Sequence, residues 1–123
     1  MRCVIDDFQD RVKPWLHACF GETIAADVAE RNYRFLEEAL ELVQACGGTR
    51  EDAHTLVDYV FDRPIGEKHQ EIGGVMVTLA ALCLAQKENM HHCGENELRR
   101  IWIKIDAIRE KQRNKPPASP LPQ

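Results

Sequence analysis

Three glutamates set close together are the chain's clearest chemical feature. Glu37, Glu38 and Glu41 lie within five residues. If the segment is helical, spacings of three and four put Glu38 and Glu41 on one face, with Glu37 adjacent. Carboxylates held together repel one another unless a proton or a cation neutralises them. A hard divalent cation such as Mg2+ suits an oxygen-rich group of this kind and binds through one or two carboxylates plus phosphate oxygens. A solvated acidic face on a good helix former is the plainer reading of the same spacing. Glu71 is a second feature. It stands one turn after Glu67, where a long apolar run begins, and a carboxylate at a helix start is also favoured by the helix dipole.

The elements that must position these residues are read from apolar periodicity. Phe8, Val12, Trp15, Leu16 and Cys19 predict a helix over Phe8–Cys19, stopped by Gly21, with a start or a kink at Pro14 as the alternative. A second helix is predicted over Glu22–Cys46, with Thr23 as a cap and Gly47-Gly48 ending it. Thr49 and Asp52 form a loose capping box for a third, which ends before Pro64. Glu67–Gln86 reads as a fourth helix, apolar enough after Glu71 to be buried on most sides. The pair Gly73-Gly74 inside it suggests a close approach of backbone or ligand, or a kink. Asn96–Asn114 is the fifth, with Asn89 to Gly94 as the turn before it and Trp102 on the core face. The expected fold is therefore all-α. Residues 1–114 form one helical domain, and the proline-rich stretch 115–123 is a flexible tail.

Composition limits the partners. The chain has 123 residues, 16 basic and 20 acidic, for a formal net charge of -4. That disfavours a nucleic-acid binder, which needs a basic face. The longest apolar stretch, Val75 to Ala85, is about half a membrane span. No apolar run opens the chain, so no signal peptide is expected. Cys3, Cys19, Cys46, Cys83 and Cys93 are odd in number and widely spaced, as for packed thiols of a reducing cytoplasm. His91-His92-Cys93 lacks the two-to-four-residue spacing of zinc ligands. His69 reads as a surface residue.

Two segments carry a family resemblance. Glu30 to Leu42 (ERNYRFLEEALEL) resembles the signature helix of the all-α MazG-like nucleotide pyrophosphohydrolases. HQEIGGVMVTLAALC, from His69, resembles that family's second motif helix, especially in small phage-encoded members. The likeness covers roughly residues 22 to 113. It implies a MazG-like bundle of four to five helices, assembled as a homodimer or homotetramer. It also implies hydrolysis of a nucleoside triphosphate to the monophosphate and pyrophosphate. Mg2+, with Mn2+ as a substitute, would be held by an E-x-x-E helix and an E-x-x-D helix. Glu38 and Glu41 match the first pair, and Glu71 matches the first residue of the second. Gly74 stands where the family has Asp, so Glu37 or Glu67 or a water would fill the gap, or the site is weakened.

In such a site Glu38 or Glu41 would orient the attacking water. Arg34, Lys68, Lys104 and Arg100 are the candidates for phosphate oxygens. Trp15, Phe20, His17 and Asn32 are the candidates for a base-binding wall. Arg31 is expected to pair with nearby carboxylates. The alternative is a non-catalytic helical protein that binds a nucleotide or a partner, with Gly74 marking a degenerate site. A purely structural bundle would leave Glu38, Glu41 and Glu71 apart in space.

Overall fold

A computed structural model describes residues 7–114. The proposed tail at 115–123 and Cys3 lie outside the described residues. Among the described residues the fold is all-α, with six helices: α1 (Asp7–Ala25), α2 (Val28–Ala45), α3 (Arg50–Phe61), α4 (Lys68–Ala85), α5 (Met90–Ile103) and α6 (Ile105–Arg113). This exceeds the four to five expected.

The helix ends follow local chemistry. The α3 start is the expected one: the Thr49 hydroxyl accepts from the Asp52 amide at 3.1 Å, which satisfies one orphan donor of the first turn. Glu67 does the same for α4, accepting from the Gln70 amide at 2.7 Å. Gly47, at φ 92°, closes α2, and the Gly48 amide reaches back to the Val43 carbonyl at 2.9 Å. That six-to-one bond with a left-handed residue before it is a Schellman ending. A Cβ on Gly48 would come within 2.5 Å of Val43 Cγ1, so this close turn also needs glycine.

Four boundaries differ from expectation. Gly21 (φ 74°, ψ 168°) does break α1, yet helix resumes to Ala25, while Pro14 is carried within the helix. The second helix then starts at Val28, capped by Asp27 rather than Thr23: the Glu30 amide donates to Asp27 Oδ1 at 3.1 Å. Asp27-x-x-Glu30 is itself a capping-box spacing. Asn89 to Gly94 is not a turn. Residues from Met90 are helical, and the helix breaks at Lys104 instead.

The helices group into two compact units, Met1–Leu36 with His91–Gln123, and Glu37–Met90. In the first, Cys19, Ala25 and Leu98 form the buried apolar centre, and α1 packs on α6. Trp15 ties α1 to α5 through Nε1, which donates to the Ile101 carbonyl at 3.1 Å. The Arg11 guanidinium grips the Glu95 carboxylate with both terminal nitrogens, one at 2.9 Å. That hydrogen bonding holds the Glu95 carboxyl below its ordinary range. A lowered folded-state value adds stability above the ordinary carboxylate range and loses it as acid passes through the folded value. Trp102, expected in the core, is 42% exposed.

Gly94 lies within α5, against the Phe8 ring of α1. A Cβ there would meet Phe8 Cζ at 3.3 Å, so the bare glycine gives the ring its seat against the helix. Gly94→Val is expected to lower stability by about 2 kcal/mol through overpacking. A urea titration followed by circular dichroism reads this directly, and an unchanged midpoint would remove Phe8 from the account.

The Glu37–Met90 unit is built differently. Neither α3 nor α4 has a buried residue. The burial expected for α4 does not occur within one chain. Gly73 and Gly74 have no atom within 4 Å of where a Cβ would sit, so neither answers a close approach. Among the described residues, no helix is long and apolar enough to cross a membrane.

Candidate functional site

Glu37, Glu38 and Glu41 lie on α2, one turn apart as the spacing requires; Glu38 and Glu41 are exposed and Glu37 is half-buried. Glu71 lies in the first turn of α4, exposed, with Lys68 as that helix's first residue. All five belong to the Glu37–Met90 unit. The carboxylate of Glu71 folds back toward its own helix start: a Cβ on Gly66 would be 2.8 Å from Glu71 Oε1. The uncovered amides of a helix N-terminus attract a carboxylate in this way.

This corrects the metal assignment. Among the described residues, no three His, Cys, Asp or Glu side chains are grouped closely enough to hold a metal ion. Glu37, Glu38, Glu41 and Glu71 therefore do not form the expected Mg2+ or Mn2+ site. The physical reason is twofold: α2 and α4 do not pack side by side, and the Glu71 carboxylate lies beside Gly66 at the start of its own helix. Positive charge for a polyphosphate must then come from side chains, because bare carboxylates repel it.

The cation candidates are distributed unevenly. Lys68 shares the unit of the carboxylates. Arg34, Arg100 and Lys104 belong to the other. Arg34 Nε donates to Glu30 Oε1 at 3.0 Å, and its Nη2 donates to Gln112 Oε1. Arg100 holds Glu97 with two bonds, at 2.8 and 2.6 Å, which lowers the Glu97 carboxyl below its ordinary range. Lys104 occupies the break between α5 and α6. Arg31 pairs with Glu30 at 3.6 Å, as expected for it, and its guanidinium lies 4.8 Å from the Phe20 ring centre. Burial lowers its pKa.

The aromatic candidates are also engaged. Trp15 meets Phe20 edge-on, with ring centres 6.0 Å apart. His17 is half-buried and Asn32 is exposed on α2. A cavity of about 350 Å3 opens between α1 and α5, lined by Arg11, Pro14, Glu95, Leu98, Arg99 and Trp102. Trp15, His17 and Asn32 are not among its lining residues.

No family model, curated protein or solved structure matches the chain.

The thiols give a separate check on the first unit. Cys19, Cys46 and Cys83 are free thiols. Burial pushes the Cys19 thiol up, against a smaller opposing pull from Arg109, and reactivity follows the thiolate. A thiol reagent followed by peptide mass spectrometry should modify half-buried Cys46 first and buried Cys19 only after unfolding. Equal rates at the two would contradict the packing of α1.

Proposed function

We propose that the chain is a nucleoside triphosphate pyrophosphohydrolase of the MazG-like type. One observation carries the reading. Glu38, Glu41, Lys68 and Glu71 are solvent-facing in one structural unit, on the two helices that bear the two segments of family likeness. In this reaction water attacks the phosphorus joined to the nucleoside. The bond from that phosphorus to the bridging oxygen breaks, and pyrophosphate leaves. Glu38 or Glu41 orients the water and takes its proton. Lys68 supplies positive charge toward the phosphate oxygens as a mobile point charge.

A second reading is favoured by Gly74 and by the absence of a metal-holding group among the described residues. In it, the chain binds a nucleotide or a partner without turning it over. The test is product analysis from a panel of ribo- and deoxynucleoside triphosphates. Monophosphate and pyrophosphate in equal amounts support the first reading. Nucleotide binding by calorimetry without any product supports the second.

A further inference from the structure

We propose that the cavity between α1 and α5 binds a compact aromatic carboxylate, with its ring against Trp102 and Pro14 and its carboxylate on Arg99. The cavity lies wholly within the unit that does not carry Glu38, Glu41 and Glu71. It therefore stands apart from the catalytic reading.

Two helix faces make the site. Glu95, Leu98, Arg99 and Trp102 follow at spacings of three and four along α5, so they share one face, and Arg11 and Pro14 do the same on α1. Pro14, Leu98 and Trp102 supply apolar walls. Leu98 is buried, whereas Trp102 keeps 42% of its surface open, and an open indole offers a face on which a flat ring can stack. The volume of about 350 Å3 is at the small end of ligand cavities, which run to about 300–1,000 Å3 and combine apolar walls with a few polar groups.

The charged walls differ in what they still offer. Arg11 is committed: it holds the Glu95 carboxylate with both terminal nitrogens and bonds Asp7 through Nε at 2.8 Å. Glu95 is committed by the same contact. Arg99 is not. Its Nη1 donates to the neutral Asn96 side chain at 3.1 Å, and among the described residues it forms no ion pair. The walls carry two positive charges and one negative. Asp7 is 85% exposed, so its charge is screened by solvent. The surplus is the Arg99 guanidinium, whose planar fork matches a carboxylate with two parallel bonds.

Spacing sets the size of the ligand. Arg99 and Trp102 are one helical turn apart, about 5–6 Å between Cβ atoms. A carboxylate joined directly to one ring spans that interval, whereas a nucleotide holds its base and phosphate further apart across the sugar.

The probe is benzoate, titrated into the full chain and followed through the indole N–H signals in heteronuclear NMR. Benzoate should shift the Trp102 signal to saturation. Acetate, which lacks the ring, and benzyl alcohol, which lacks the charge, should each bind at least about tenfold more weakly. Arg99→Gln should weaken benzoate by at least about tenfold and leave benzyl alcohol unchanged. Should that variant fail to fold, the comparison of benzoate with benzyl alcohol on the unaltered chain still decides. The inference is overturned by the lack of a saturable shift at Trp102, by acetate or benzyl alcohol binding as tightly as benzoate, or by folded Arg99→Gln binding benzoate unchanged. Benzoate binding by a chain that turns over no triphosphate would leave this site standing and remove the catalytic reading.

Discussion

Glu30→Ala is expected to lower stability by about 3 kcal/mol, the largest loss from a single charged residue in this protein. Glu30 is 1% exposed. Its carboxylate accepts from Arg34 Nε at 3.0 Å and lies 3.6 Å from Arg31 Nη2. Removing it leaves two partly buried guanidinium groups facing each other, and Arg34 already disfavours the charge on Arg31. Opposite charge is then replaced by repulsion in a poorly hydrated place, which is why breaking a buried pair costs far more than losing an exposed one. Glu30→Gln keeps the shape and an acceptor but not the charge, so it should lose about half as much. Urea unfolding of both variants reads the difference. A loss below about 1 kcal/mol for Glu30→Ala would mean that the two arginines are solvated and the cluster does not hold α2 in place.

The second large effect concerns turnover. Glu41→Gln and Glu38→Gln are each made on the exposed part of α2, where substitutions change stability by about 0.5 kcal/mol or less. Their melting temperatures should therefore match the intact protein. If one of these carboxylates takes the proton of the attacking water, pyrophosphate release should fall by about 100-fold or more in that variant. The other should show a smaller loss, which assigns the role between them. Retention of more than half the rate by both would remove α2 from the chemistry. Glu71→Gln is the informative companion, because that carboxylate lies over Gly66 at the start of its own helix. A large loss there would require Glu71 to move away from its helix start during turnover.

The family likeness rests on α2 and α4, and one departure lies inside it. Gly74, where the resemblance implies an acid, has open space where a side chain would stand. The position therefore accommodates Gly74→Asp sterically.

Sequence alone determined the all-α class and most helix ends, because these depend on groups a few residues apart. Thr49 with Asp52, Glu67 with Gln70 and the left-handed Gly47 are local bonds, readable from spacing. The pairing of Arg31 with Glu30 is local in the same sense. The start of α5 at Met90 was missed, and the close packing of Phe8 on Gly94 joins residues too far apart in the chain for spacing to show. The acidic group failed for the same reason. Spacing put Glu38 near Glu41 on one helix, but only tertiary packing could bring Glu71 to them. With α2 and α4 not packed together, Glu71 stays at the start of its own helix, its carboxylate beside Gly66.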